Sequence, residues 1–117
     1  MPRSVLAYLA DIIESCDGIA LALREVDLPA YQGNRVVRMA VEREFIIIGE
    51  AVNSLGRLDP DLASSISRAG RIVAFRNHLA HDYASIEDET VWAIACREVP
   101  ILRRECESLL EARGGAA

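Results

Sequence analysis

The stretch Val37-Arg38-Met39-Ala40-Val41-Glu42-Arg43-Glu44-Phe45-Ile46-Ile47-Ile48-Gly49-Glu50-Ala51-Val52-Asn53-Ser54-Leu55 decides the fold class. Val37, Val41, Phe45, Ile48, Val52 and Leu55 recur at intervals of three and four, the spacing of one helical face. Ile46, Ile47 and Ala51 widen that face, so the spacing predicts a helix buried on more than one side. Asn34 supplies an N-cap for it and Gly56 a C-terminal stop.

The same period runs outward in both directions. Upstream, Val5, Leu6, Leu9, Ile12, Ile13, Cys16, Ile19, Ala20 and Leu23 predict a first helix. Asp27-Leu28-Pro29 is expected to end it, because the residue before Pro avoids the α region, with a loop through Gln32-Gly33. Downstream, Asp59-Pro60 reads as N-cap and first residue of a short helix reaching about Ser67. Gly70 is expected to separate it from a third main helix, Arg71 to about Tyr83. Ser85 and Asp88 resemble a capping box for a last helix carrying Val91, Trp92, Ile94, Ala95, Val99, Leu102, Cys106, Leu109 and Leu110. Pro100 inside it predicts a kink. No strand pattern, repeat or linker interrupts the series. The expectation is an all-α, antiparallel four-helix bundle, one domain over residues 1–113, with a disordered tail at 114–117.

Composition narrows the function. All 13 cations among the 117 residues are Arg, since the chain has no Lys, and 18 carboxylates leave a net charge of −5. With 51% hydrophobic residues and both charge signs interspersed, the chain is a globular domain and not a disordered one. The acidic total argues against coating nucleic acid or anionic membrane by bulk charge, while leaving room for a local Arg site. Cys16, Cys96 and Cys106 have no C-x-x-C spacing and each falls in an apolar-periodic stretch, so they read as buried, reduced thiols. The N-terminus lacks a signal-length apolar run, and no apolar stretch approaches the roughly 20 residues of a membrane span. A soluble, cytoplasmic protein without membrane contact is expected.

The chemistry concentrates in Arg76-Asn77-His78-Leu79-Ala80-His81-Asp82-Tyr83. At about 100° per residue, Arg76, Asn77, His81 and Tyr83 share one arc, while Ile72, Phe75 and Leu79 cluster opposite and anchor the helix to the core. Such a polar face is either solvated surface or a site. Arg is the bidentate partner for phosphate, and His exchanges protons near neutral pH. An RNA phosphodiester is cleaved by activating its own 2′-hydroxyl, stabilising the pentacoordinate phosphorus with a cation and protonating the leaving oxygen. That chemistry needs no metal. His78, His81 and Asp82 lack a third ligand at metal-site spacing, and neither a phosphate-cradling Gly-Lys loop nor a serine nucleophile elbow is present. No cofactor is expected.

Arg76-x4-His81-x-Tyr83, preceded by Ile72-Val73-Ala74-Phe75, resembles the signature of HEPN-domain ribonucleases of the HepT toxin type. The block Ala40 to Ala51 is similar to that family's second helix, and Trp92 with Val99-Pro100-Ile101-Leu102 to its closing helix. The resemblance spans nearly the whole chain. It implies a toxin-antitoxin ribonuclease that forms a homodimer, with the two Arg-x4-His helices meeting across the two-fold axis in a composite RNA-cleaving cleft. It implies that Arg76 stabilises the phosphorane, that His81 is the general acid or base, and that Asn77 positions one of them. It further implies an MntA-type nucleotidyltransferase antitoxin that AMPylates Tyr83. Each AMP would add a negative charge and a nucleoside beside Arg76. The RNA substrate, tRNA or mRNA, is not specified.

Two positions depart from the commoner pattern. Asp82 stands where Gly is frequent and places a negative charge next to the acceptor Tyr83. His78 borders the active arc, either as a second proton carrier or as a rim histidine. Glu50 is a carboxylate on an apolar helix, which is rarely buried without a partner. It reads as a buried pair with an Arg of the bundle, or as part of the cleft. Arg43 is either that partner or an RNA contact. The competing function is a non-catalytic helical adaptor that presents substrate to a separate nucleotidyltransferase. If two Arg76 faces form the cleft, the RNA footprint is short and its salt dependence shallow.

Overall fold

The computed structural model describes residues 3–114, and these form an all-α bundle of seven helices and one 3₁₀ turn. The expected tail at residues 115–117 lies outside the described residues. The helices are α1 (Val5–Ala22), α2 (Leu28–Gly33), α3 (Arg35–Leu58), α4 (Pro60–Ala63), α5 (Ala69–His81), α6 (Asp88–Arg97) and α7 (Val99–Ala112), with the 3₁₀ turn Tyr83–Ser85 between α5 and α6. Four long rods result, because α6 and α7 together make the fourth. α3 is the central rod, packed on α1 and on α5, while α1 also packs on α7. The core is the apolar stripe of each rod: Leu9, Ile12, Cys16 and Ile19 from α1, Val41, Ile48, Val52 and Leu55 from α3, Val91 from α6, and Leu102, Cys106 and Leu110 from α7. Burying such aliphatic side chains contributes about 1.5–3 kcal/mol each, which is why the period decides the fold.

The caps divide into those that formed and those that did not. Asn34 Oδ1 accepts from the Val37 amide at 3.1 Å, and Asp59 Oδ1 accepts from the Leu62 amide at 3.1 Å, as their positions predicted. Asp27-Leu28-Pro29 does not end the first helix. α1 stops at Ala22, and Glu25 follows in the left-handed region at φ 58. Asp27 then caps α2 by accepting from the Ala30 amide at 2.9 Å, with Pro29 in the first turn. An Asp two residues before a Pro is a start signal here, and the expected loop is a short helix. Gly56 does not stop α3, which continues to Leu58 and ends at Asp59. The helix after Asp59 ends at Ala63, short of Ser67, and Gly70 lies within α5.

The capping box at Ser85 and Asp88 is absent. α6 starts after Glu87, whose side chain makes no cap bond, and the Ser85 hydroxyl instead donates to the Asp82 carbonyl at 3.0 Å. The kink at Pro100 takes the form of a break. α6 ends at Arg97, Glu98 stays in the right-handed helical region, and Pro100 occupies the first turn of α7, where its missing N–H costs nothing. Of the three thiols, Cys16 and Cys106 are buried, but Cys96 is exposed, beyond the Val91-Ala95-Val99 stripe that faces the core. Among the described residues no helix is long and apolar enough to cross a membrane.

Candidate active site

α5 carries the Arg-x4-His segment, and it is lightly anchored. Leu79 is its one fully buried side chain. Phe75 meets Phe45 of α3 edge to face, ring centroids 5.2 Å apart and planes at 87°, the arrangement that the ring quadrupoles favour. Between α5 and α6–α7 lies a cavity of about 300 Å³, floored by Phe45 and Ile48 and rimmed by Arg68, Arg71 and Glu98. An ion pair from Arg68 Nε to Glu98 Oε2 at 2.8 Å ties the start of α5 to the α6–α7 break.

Arg76 does not lie on the face turned away from the bundle, as the helical wheel suggested. Its stem rests on Gly49 of α3. A methyl carbon placed on Gly49 would stand 2.5 Å from Arg76 Cγ and closer still to its Cβ. The wheel missed this because α5 leans on a glycine, which widens the arc that can touch α3 beyond the apolar side chains. A glycine within a long apolar helix is itself a signal, since it costs about 1 kcal/mol relative to Ala unless close packing requires it.

Beyond the stem, the guanidinium is held at both ends. Arg76 Nη2 donates to Glu50 Oε1 at 2.9 Å, and Nη1 donates to Asn77 Oδ1 at 2.9 Å. Nε is buried and has no hydrogen-bond partner among the described residues. The Arg76 side chain remains 26% exposed and that of Glu50 55% exposed. Glu50 therefore has an Arg of the bundle as its partner, but the pair is not buried. The partner is Arg76 and not Arg43, which is exposed on α3.

His81 is the last residue of α5 and is exposed. His78 is engaged: its Nε2 lies 2.7 Å from Ser85 Oγ and 3.6 Å from Asp82 Oδ2. Ser85 thus fastens the 3₁₀ turn to the last turn of α5, a role that sequence reasoning had given to an α6 cap. Tyr83 falls outside α5, at the start of the 3₁₀ turn. Asp82 is the C-cap of α5, and its amide donates to the His78 carbonyl at 2.9 Å. The structure thus joins Arg76, Asn77 and Glu50 in one cluster and His78, Asp82 and Ser85 in a second, with His81 exposed at the helix end. Among the described residues, no group of three or more His, Cys, Asp or Glu side chains gathers closely enough to hold a metal ion.

A cation socketed between two helices, with a histidine at the end of the same helix, brings onto one helix the residue types that phosphodiester chemistry uses. The comparisons with known proteins agree with that class. The profile described as Ribonuclease HepT-like matches residues 12–109, and the chain belongs to this family. It is similar to two proteins of Methanocaldococcus jannaschii named "Putative RNase MJ1380" and "Putative RNase MJ0125". The first is 30% identical over 105 residues, covering 90% of this chain and 95% of the relative. The second is 27% identical over 111 residues, covering 93% of each. "Putative RNase TTE0752" of Caldanaerobacter subterraneus subsp. tengcongensis is 24% identical over 104 residues, with 89% of this chain and 92% of the relative covered. No solved structure matches the chain.

Proposed function

We propose that this protein is a metal-independent endoribonuclease toxin that cleaves RNA at a site shared by two copies and is silenced by AMPylation of Tyr83. The observation that carries the reading is the socketed Arg76, held by Gly49, Glu50 and Asn77 on the helix that ends in His81. Within one protomer Arg76 and His81 diverge. Five residues of helix separate them by about 7.5 Å along the axis and about 140° around it. Two copies of α5 brought together supply Arg and His to one phosphate from facing helices.

The outer face of α3 supports such a pairing. Val36 and Met39 are 78% and 52% exposed, and beyond exposed Arg43 the half-buried Ile46 and Ile47 continue that face to Glu50 beside Arg76. Exposed apolar surface contiguous with a polar site is the signature of an interface.

In the cleft, one His81 takes the proton of the 2′-hydroxyl as that oxygen attacks phosphorus. Arg76 stabilises the charge that builds on the phosphorane oxygens. The other His81 gives a proton to the departing 5′-oxygen, leaving a 2′,3′-cyclic phosphate and a 5′-hydroxyl. Asn77 orients Arg76, and His78 is engaged by Ser85. In the silenced state the Tyr83 oxygen has attacked the α-phosphorus of ATP, with release of pyrophosphate to an MntA-type nucleotidyltransferase's active site. The AMP ester adds a negative charge and a nucleoside just beyond the His81 end of α5.

Purified protein incubated with total RNA in EDTA tests the reading. Cleavage that disappears in Arg76→Ala and in His81→Ala is expected. Cleavage unaffected by either substitution refutes it, and an unmodified protein that leaves RNA intact favours the adaptor. Mass spectrometry of the protein co-expressed with its nucleotidyltransferase is expected to place AMP on Tyr83.

A further inference from the structure

We infer that Glu50 is the positioning residue for Arg76: its carboxylate, on α3, fixes the guanidinium of α5 before any phosphate arrives. The inference rests on reading Arg76 as the phosphate-binding group. Three contacts immobilise one long side chain. The stem lies on Gly49, Nη2 donates to Glu50 at 2.9 Å, and Nη1 donates to Asn77 at 2.9 Å. Of these, Glu50 alone is a side-chain hold from the neighbouring helix. Asn77 is the next residue on α5 and moves with it.

A free Arg side chain samples many rotamers, and fixing it in advance removes that cost from the moment of binding. Glu50 occupies one N–H of Nη2 and Asn77 one N–H of Nη1. Each terminal nitrogen keeps a second N–H, and the group is still 26% exposed. A phosphate can therefore take both ends of the fork while Arg76 keeps its two partners.

The same carboxylate opposes the phosphate. It is 55% exposed, and it sets a negative charge at the edge of the site. Glu50 thus acts in two directions: holding the guanidinium in register favours turnover, and its charge weakens anion binding. These effects separate in two substitutions. Glu50→Gln keeps an oxygen for Nη2 and removes the charge, whereas Glu50→Ala removes both.

The experiment compares wild type, E50Q and E50A by steady-state cleavage of a short RNA and by the ¹⁵N-edited Nε–H resonance of Arg76, assigned by its loss in Arg76→Lys. E50A is expected to lower kcat by about tenfold or more, the scale of a displaced positioning group. It is also expected to lose the Arg76 Nε–H signal to solvent exchange. E50Q is expected to recover most of that kcat, to lower KM, to keep the signal, and to bind inorganic phosphate more tightly than wild type. An E50A protein with wild-type kcat and an unchanged Nε–H resonance overturns the inference. So does an E50Q protein that loses as much kcat as E50A, which also decides the matter if E50A fails to fold. A wild-type protein that cleaves no RNA would refute the ribonuclease reading instead. The Nε–H resonance and the phosphate titration would still decide the role of Glu50.

Discussion

Gly49→Ala is the sharpest perturbation the fold offers. The added carbon would stand 2.5 Å from Arg76 Cγ and closer to Cβ. Carbon atoms at rest are about 3.5–4.0 Å apart, so the overlap is at least about 1 Å. Rotation about χ1 can move Cγ but not Cβ, which is fixed by the α5 backbone. The helices must separate, and α5, with Leu79 as its one fully buried residue, is the one that gives way. Overpacking of this kind costs about 1–3 kcal/mol, and an atom that cannot rotate away belongs in the upper part of that range. Against it stands the gain from replacing a helical glycine, about 0.5–1 kcal/mol. The net loss is about 1–2 kcal/mol, a fall in melting temperature of about 4–8 °C for a domain of this size. Displacing Arg76 by about 1 Å should also lower RNA cleavage by a factor of ten to about a hundred.

Gly56→Ala is the control, because a carbon there meets nothing within 4 Å. It should raise stability by about 0.5–1 kcal/mol. Thermal unfolding followed by circular dichroism, beside a cleavage assay, reads both. Arg76→Ala keeps the Cβ, so Gly49→Ala should still destabilise in that background. A Gly49→Ala protein that melts with or above wild type and cleaves normally would refute the socket.

Other outcomes follow from burial and charge. Burial pushes the Cys16 and Cys106 thiols up to about 12, so neither ionises at working pH; burial also raises the Cys96 thiol, against the pull of Arg97, but Cys96 is exposed and a reagent can reach it. A thiol reagent at pH 8 should label one cysteine in the native protein, Cys96, and three after unfolding. Labelling of all three at native rates would contradict the packing. Burial raises the Glu42 carboxyl above its ordinary value near 4.5, repulsion from Asp88 adds to this, and Arg38 opposes it. An acid whose folded pKa exceeds its unfolded one stabilises the fold only while protonated, so that contribution is lost as pH rises from about 4.5 through the folded value. Glu42→Gln should therefore be at least as stable as wild type at pH 7, with the difference vanishing below pH 4 in chemical denaturation. Val36→Glu with Met39→Glu places charge on the apolar outer face of α3. Sedimentation should then show a monomer, with cleavage lost although the Arg76 socket is untouched.

The rods were legible because burial repeats at the helical period, and that signal is strong over α1, α3 and α7. The ends were less legible because one residue serves opposite signals. Asp27 and Pro29 begin a helix in this chain, whereas Pro alone suggests an ending, and Gly56 continues one because Asp59 supplies the stop. The segment from Arg76 to Tyr83 was legible as chemistry, through residue types, but not as geometry. A helical wheel treats neighbouring helices as equivalent walls. It placed Arg76 away from the bundle because it did not register that Gly49 lets α5 approach α3. It expected Glu50 to lie in a buried pair, and the structure leaves the Glu50 carboxylate exposed with half-buried Arg76 of α5 as its partner. Pairings across helices depend on rotation and offset between rods, which no single-helix period encodes.

The cavity beside α5 has a consequence for how the motif breathes. A helix held along one flank and facing a void of about 300 Å³ on the other has little packing to oppose local opening. Amide exchange should run fastest in α5 among the long helices, and unevenly along it. The half around Arg76 is clamped by Phe45, Gly49 and Glu50, whereas the end at His81 is held by the Ser85 contact to His78. Within α5, amides near Arg76 should therefore exchange more slowly than those near His81, at the fraying end.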